Sequence, residues 1–169
     1  MPPSCSTITS PRTRPASIQR DARAVRGPSR LPAGNHHRVL PVETILESLE
    51  NGDPLPENSI AITFDDAYRS VYNIARPMLD ARSMPYSVFV STEFIDRSFG
   101  NYMTWEQLRR MTEGGGTIGN HGVKHQSALA RGREESREDW LERFRLDAVQ
   151  AQERISAETG TRSTAYALP

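Results

Sequence analysis

Two adjacent carboxylates, Asp65 and Asp66, stand at the end of a largely apolar stretch of the chain. Residues 59–64 are mostly apolar or β-branched and predict a buried strand, so the acid pair lies at the mouth of that strand. Two like charges side by side disfavour joint ionisation. A bound cation, or a division of catalytic work between the two acids, would relieve that cost.

A second polar group, His121 and His125, follows a later predicted strand. Two imidazoles and one carboxylate form a nitrogen and oxygen ligand set that suits zinc or a similar divalent ion and leaves positions open for water and substrate. A metal in such a site polarises a carbonyl and lowers the pKa of bound water, which hydrolysis at neutral pH requires. The second acid of the pair is then free to act as a general base.

Each group alone also fits other hypotheses. An acid pair at a strand end suits the magnesium pocket of a phosphoryl-accepting receiver domain, and two histidines four positions apart can be unrelated surface residues. Zinc metalloproteases carry the same histidine spacing on a helix, with Glu after the first histidine. Gly122 stands at that position here, which argues against a metalloprotease. The combination of the acid pair with the histidine pair favours a metal-dependent hydrolase.

Alternating strand and helix patterns position these groups. Predicted strands cover residues 39–40, 59–64, 86–90, 117–120 and 163–168. Predicted helices cover residues 42–51, 67–82 with a kink at Pro77, 104–113 behind a capping box, and 134–158 with Gly160 as C-cap, while residues 93–102 are predicted to be a loop. Such alternation implies an α/β fold with parallel strands. Chemistry in these folds lies at the C-terminal ends of the strands, where both polar groups fall.

Composition limits the function classes. The 169 residues hold 21 Lys and Arg against 21 Asp and Glu, so there is no overall basic field for nucleic acid, and we expect no nucleic-acid partner. Neither a transmembrane segment nor a secretory signal peptide is predicted. Residues 1–35 are rich in Pro and Arg and predict a disordered tail. A basic arm for a polyanion, a transit peptide and a gene-model artefact remain open for this segment.

The two motifs, residues 63–66 (TFDD) and 121–125 (HGVKH), resemble the first two motifs of the polysaccharide deacetylases, the NodB-homology domain of carbohydrate esterase family four. Segments 61–79, 89–96, 102–111 and 116–125 resemble the branch that acts on poly-β-1,6-N-acetylglucosamine and related surface glycans. The resemblance implies a partial (β/α) barrel of the NodB-homology type, with residues 36–169 as the N-terminal part of that domain. It also implies action outside the cytoplasm, in the periplasm, at the cell surface or after secretion.

Carried over residue by residue, the resemblance implies that Asp65 is the general base and that Asp66, His121 and His125 hold one divalent metal ion, expected to be zinc. The implied reaction removes N-acetyl groups from N-acetylglucosamine units of a polysaccharide, releasing acetate. Two tyrosines are secondary candidates for substrate contact. Tyr68 is next to the acid pair and could equally be a core residue, while Tyr166 looks like the start of the family's third motif.

Three departures from the family pattern bear on activity. Gly122 replaces a Ser or Thr, which predicts looser orientation of the histidine loop and weaker metal affinity. The third motif begins at Tyr166 and the later motifs are missing, so we expect a chain truncated at its C-terminus. The family's first strand has no counterpart in residues 1–35. The alternative hypothesis is therefore a catalytically incompetent fragment or pseudoenzyme that retains only metal or glycan binding.

Overall fold

The computed structural model describes residues 37–127 and 131–169, and the predicted tail over residues 1–35 lies outside them. Five short strands are present: β1 Arg38–Val39, β2 Ser59–Ile60, β3 Thr63–Phe64, β4 Tyr86–Val90 and β5 Gly116–Asn120. The α-helices are α1 Val42–Asn51, α2 Arg76–Asp80, α3 Thr92–Asp96, α4 Trp105–Thr112 and α5 Arg137–Thr159. A π-helical turn, Val71–Ala75, leads directly into α2.

All the strand pairs are parallel, which confirms the predicted α/β fold class. Strand β1 pairs with β2, with Arg38 opposite Ser59. Strands β3, β4 and β5 form a second sheet in that order, with Phe64 opposite Val88 and Val90 opposite Asn120. The C-terminal ends of β3 and β5 therefore lie at the same edge of the sheet, on either side of β4.

The predicted strand over residues 59–64 is wrong in two respects. It is divided into β2 and β3, which belong to different sheets, and its residues are half-buried rather than buried. The hydrogen bonds explain the division, because Leu40 donates its N–H to the carbonyl of Ile60, whereas Ser87 donates to that of Ile62. The extended chain thus changes its pairing partner from β1 to β4 within two residues.

The core lies between β4 and the surrounding helices. Every residue of β4 is buried, as expected for the central strand of a parallel sheet. Leu108 and Met111 of α4 are fully buried against it, and Ile155 of α5 completes the same cluster. Gly119 in β5 is required by this packing, because a Cβ there would overlap the ring of Phe89. The sheet that carries the polar groups is therefore packed against α4 and α5.

The helix predicted over residues 67–82 begins later than expected. Asp66 and Ala67 have left-handed backbone conformations, with φ of 67° and 53°, so the chain cannot be helical there. The predicted distortion at Pro77 takes the form of the π-helical turn, in which Arg76 donates its N–H to the carbonyl of Val71. A proline lacks the N–H that the regular helix needs, and the wider turn precedes it.

The segment predicted as a loop over residues 93–102 is wrong in part, because α3 covers Thr92–Asp96. Elsewhere the helix predictions hold. The capping box of α4 is formed by Thr104 and Gln107, and Gly160 caps α5 in a left-handed conformation with φ of 70°. The predicted apolar face of α5 is only partly buried, since Leu141 and Val149 are exposed to 46% and 40%.

The predicted last strand over residues 163–168 is reduced to one parallel bridge between Asn120 and Tyr166. Asn120 donates its N–H to Ala165 and accepts one from Ala167, so this segment still lies beside β5. None of the helices in residues 37–127 and 131–169 is long and apolar enough to span a membrane.

Candidate metal centre

The left-handed turn after β3 separates the two acids. Asp65 follows the strand and its side chain is exposed, whereas Asp66 turns back toward the sheet and is largely covered. Alanine rarely adopts a positive φ, yet Ala67 is fully buried in this conformation and its carbonyl accepts the N–H of Met103 at 2.8 Å. The surrounding packing therefore stabilises a strained backbone that directs one carboxylate inward.

The first histidine is fixed at the end of β5. His121 is 3% exposed, and its backbone N–H donates to the carbonyl of Val90 at 3.0 Å. Its ring Nδ1 lies 3.0 Å from the carbonyl oxygen of Ala167. Because a carbonyl can only accept, Nδ1 carries the proton and the lone pair of Nε2 is free on the opposite side of the ring. That Nε2 lies 3.8 Å from Oδ1 of Asp66.

The second histidine comes from the loop that follows. His125 has a left-handed backbone, with φ of 52°, and its Nε2 lies 3.2 Å from Oδ1 of Asp66. The loop is attached to the start of α3, since Thr92 and Glu93 donate their N–H groups to the carbonyls of Gly122 and Val123, each at 3.1 Å. The helix that the sequence analysis missed thus helps to position this histidine.

Asp66, His121 and His125 together form a group suited to a cation. One ligand atom from each side chain lies within 4.8 Å of the others. Within the described residues, Oδ1 of Asp66 is buried and makes no hydrogen bond, although Nε2 of His125 and Nε2 of His121 face it at 3.2 and 3.8 Å. Burying an unpaired charged oxygen is costly unless a cation or donor satisfies it. One oxygen and two nitrogen donors therefore fit a divalent ion such as zinc.

The charge state of Asp66 reflects the same geometry. Burial raises the pKa of its carboxyl, and repulsion from Asp65 adds to this effect. His125, His121 and the hydroxyl of Tyr68 act in the opposite direction, but burial prevails. Without a cation, burial thus makes this carboxyl harder to ionise, and a bound metal ion would favour the carboxylate.

We expect metal-free protein to lose stability as the pH rises through the pKa of Asp66. The pKa is 3.8 in the ordinary state and higher in the fold, so the folded chain binds this proton more tightly than the unfolded chain. The resulting stabilisation is fully present below pH 3.8 and is lost as the pH rises through the folded pKa. Asp66→Asn, which cannot ionise, should escape this loss.

Urea unfolding of both proteins in the presence of a chelator tests this expectation. The free energy of unfolding of Asp66→Asn should increase relative to that of the wild type as the pH is raised from below 3.8 through the folded pKa of Asp66. Groups remote from the site titrate equally in both proteins, so the difference reports Asp66 together with the groups that interact with its charge, which are Asp65, His121 and His125. If the free energy of unfolding of the wild type instead increased relative to that of the variant over this range, the result would contradict a raised pKa of Asp66.

The two candidate tyrosines lie in different surroundings. Tyr68 is half-buried, stacks on Tyr102 with ring centroids 4.9 Å apart, and packs against the core beside Asp66. Tyr166 packs edge-on against Phe144, with ring centroids 5.8 Å apart. Burial, reinforced by the charge of Asp147, raises the pKa of Tyr166 to about 12. Contact of either tyrosine with a substrate stays a prediction.

Sequence reasoning missed an aromatic wall beside the centre. Phe94 of α3 lies with its ring centroid 4.8 Å from that of Tyr102 and 6.0 Å from that of His125. It also missed the carbonyl of Ala167 as the partner of His121. A backbone carbonyl leaves no sequence signal, and the aromatic residues of segment 93–102 showed no regular period.

Comparison with known proteins adds a family to this geometry. The family model described as polysaccharide deacetylase matches residues 52–169. Poly-β-1,6-N-acetyl-D-glucosamine N-deacetylase of Escherichia coli is 29% identical over 92 residues, which is 46% of this chain and 13% of that protein. YxkH of Bacillus subtilis, which is named as a polysaccharide deacetylase, is 30% identical over 92 residues, covering 53% of this chain and 31% of that protein. The chain thus spans less than a third of the length of either relative.

Solved structures support the same fold. The BpsB deacetylase domain from Bordetella bronchiseptica matches with a TM-score of 0.65 at 23% identity, covering 96% of this chain and 71% of that one. IcaB from Ammonifex degensii gives a TM-score of 0.65 at 21% identity, with 96% and 70% covered. The deacetylase PplD of Streptococcus pyogenes gives 0.68 at 19% identity, with 79% and 56% covered. These likenesses confirm the deacetylase-type α/β architecture expected from the sequence.

Proposed function

Because the chain belongs to the polysaccharide deacetylase family, we propose that it removes N-acetyl groups from N-acetylglucosamine units of a polysaccharide. The observation that carries the proposal is the convergence of Asp66, His121 and His125 around one buried, unpaired oxygen, with a second carboxylate adjacent and exposed. Residues 36–169 would belong to the deacetylase domain, in keeping with the family match from residue 52.

In this proposal the two acids have different tasks. Asp66 lies in the pocket with its oxygen toward the imidazoles, so it would hold the metal ion together with His121 and His125. When bound, a divalent ion such as zinc would supply Lewis-acid polarisation of the acetamide carbonyl and a lower pKa for water. Asp65 is outside that ligand group and is exposed to solvent. In this proposal its carboxylate would accept a proton from the attacking water.

Three features of the chain would prepare this chemistry. The hydrogen bond from His121 Nδ1 to Ala167 fixes the ring so that Nε2 points at the site. At the left-handed turn formed by Asp66 and Ala67, the carboxylate of Asp66 is largely covered whereas Asp65 is exposed. The aromatic side chains of Phe94 and Tyr102 form an apolar wall against which a sugar ring could pack.

The substrate class rests on the relatives. The Escherichia coli relative is named for poly-β-1,6-N-acetyl-D-glucosamine, and we propose a polymer of the same sugar for this chain. The single divalent ion would be zinc, because two imidazoles and a carboxylate form a set that zinc accepts readily.

The test is acetate release by the full chain loaded with one equivalent of zinc. With an oligomer of β-1,6-linked N-acetylglucosamine as substrate, we expect acetate and free amine to appear in equal amounts, and a chelator should stop both. Protein treated with chelator and then reloaded with zinc serves as the control for irreversible damage. Zinc binding without any acetate from a folded, zinc-saturated chain would contradict the deacetylase proposal and support a non-catalytic metal-binding domain.

A further inference from the structure

The loop between the two histidines is held from one side by the long helix α5. Asp147 lies on that helix and its Oδ2 accepts the backbone N–H of Val123 at 2.9 Å. Val123 is midway between His121 and His125 in the chain. A hydrogen bond to an ionised acceptor is shorter and stronger than one between neutral groups. The carboxylate of Asp147 therefore holds the centre of the segment that must deliver both imidazoles.

Gly122 fits this arrangement closely. Its φ of 79° lies in the left-handed region, which favours glycine. A Cβ built on Gly122 would overlap Oδ2 of Asp147 and would lie 3.6 Å from the hydroxyl oxygen of Tyr166. The carboxylate thus occupies the volume that a side chain at position 122 would need. The space available to residue 122 is therefore coupled to the position of the Asp147 carboxylate.

The preceding amide of the loop, that of Gly122, is held in a similar way. Gly122 donates its N–H to the side-chain oxygen of Asn120 at 2.9 Å, and the side-chain nitrogen of Asn120 donates to the carbonyl of Ala148 at 2.8 Å. Two successive loop amides are therefore connected to residues 147 and 148 of one helix. With the loop carbonyls bound by the N–H groups of Thr92 and Glu93, the loop is fastened between α3 and α5.

We propose that Asp147 is a positioning residue for the metal centre. It fixes the backbone at Val123 so that the imidazoles of His121 and His125 converge on Asp66, and its carboxylate occupies the space beside Gly122. This inference rests on the proposed metal site, because its consequence is metal affinity. Asp147 does not itself belong to the ligand group, so its effect on the metal is transmitted through the loop backbone.

The test measures metal binding directly, with zinc in competition against a chromophoric chelator and with cobalt as a spectroscopic probe. Asp147→Ala should weaken zinc binding by about 10- to 100-fold and alter the visible spectrum of the cobalt form, because the ligand geometry is loosened. Asp147→Asn keeps an oxygen acceptor for the N–H of Val123 and should bind zinc within a few-fold of the wild type. Glu153→Ala, an exposed acid on the same helix, is the matched control and should leave both measurements unchanged.

Gly122→Ala provides an independent test of the coupling. In the wild-type background its methyl group collides with Asp147, so zinc binding should weaken. In the double variant Gly122→Ala/Asp147→Ala the collision is removed, so the loss of zinc-binding free energy should be smaller than the sum of the losses in the two single variants. Strictly additive losses in the double variant would contradict the shared volume and overturn the assigned coupling.

The possible failures are distinguishable. If the wild type binds zinc and Asp147→Ala binds it equally well with the same cobalt spectrum, the positioning role is wrong and the metal site stands. If the wild type itself binds no zinc, the proposed metal site fails, and this inference fails with it. If Asp147→Ala folds poorly, the test uses zinc binding by Asp147→Asn and hydrogen exchange of the Val123 amide in metal-free protein. Wild-type affinity retained by Asp147→Asn with a protected Val123 amide supports the proposal, and a Val123 amide equally protected in Asp147→Leu overturns it.

Discussion

Replacing His125 with alanine should lower zinc affinity by more than about 100-fold, a loss larger than that typical of residues that only support metal ligands. Its Nε2 is the imidazole atom nearest to the buried oxygen of Asp66, at 3.2 Å. The side chain is about a third exposed, so its removal leaves little cavity and the fold should persist. Without it, one carboxylate and one imidazole remain, and two ligands hold zinc far more weakly than three.

Two measurements check this result. Titration with zinc should show one site in the wild type and no stoichiometric site in His125→Ala, and zinc should raise the melting temperature of the wild type alone, because a ligand stabilises the state that binds it. His37→Ala is the matched control, since His37 is a half-buried histidine outside the ligand group. Zinc binding unchanged in His125→Ala would contradict the assigned centre.

The same titration addresses the receiver-domain hypothesis that the acid pair leaves open. A receiver-type site would bind magnesium through the carboxylates and would be indifferent to both histidines. The structure favours a metal site that includes the histidines over a receiver-type site. The imidazoles of His121 and His125 lie edge to face, with ring centroids 4.8 Å apart, and both face Asp66. If the wild type and His125→Ala bound magnesium with equal affinity, the result would support the receiver-type site instead.

Much of the architecture could be predicted from the sequence because local signals determine it. The capping box at Thr104 satisfies backbone groups within one turn, and Gly160 adopts the left-handed conformation that ends α5. Residues 86–90 are apolar or aromatic apart from Ser87, and they have no competing helical period. In each of these places the local preference and the tertiary fold agree.

The failures occur where tertiary contacts decide. Nothing local in residues 59–64 reveals that hydrogen bonding changes from β1 to β4 after Ile60. Ala67 has no intrinsic preference for a positive φ, so the late start of the following helix depends on its burial. The apolar positions Leu141 and Val149 fit a helical face by period, but the sheet does not extend far enough to cover them in the described structure.

The candidate site divides in the same way. Its ligand types were visible as an acid pair and a histidine pair, because few residue types can bind a metal and their positions after strands follow from the alternation. The supporting contacts were not visible, since Ala167 is 46 positions from His121 in the chain and Asp147 is 24 positions from Val123. From the sequence alone, Gly122 predicts looser support of the histidine loop. In the structure the carboxylate of Asp147 occupies the space beside Gly122.

Asp65→Asn should reduce acetate release by about 100- to 10,000-fold, the usual contribution of a general base, while zinc still binds within a few-fold of the wild type. The amide has almost the shape of the carboxylate but cannot accept a proton at neutral pH. Asp65 is exposed and is not one of the three grouped ligands, so its replacement leaves the metal-holding atoms in place. A loss of rate without a loss of metal is the signature that separates a base from a ligand.

Measuring kcat and zinc affinity together for Asp65→Asn and Asp66→Asn makes the division of roles testable. Asp66→Asn should lose both activity and tight zinc binding, because its oxygen is the atom that both imidazoles face. Asp53→Asn, an exposed acid far from the motif in the chain, is the control and should change neither. Full activity in Asp65→Asn would show that another group takes the proton, and the role proposed for the exposed acid would then be wrong. Loss of zinc binding in that variant would instead make both acids ligands, which the exposure of Asp65 and its position outside the group of Asp66, His121 and His125 argue against.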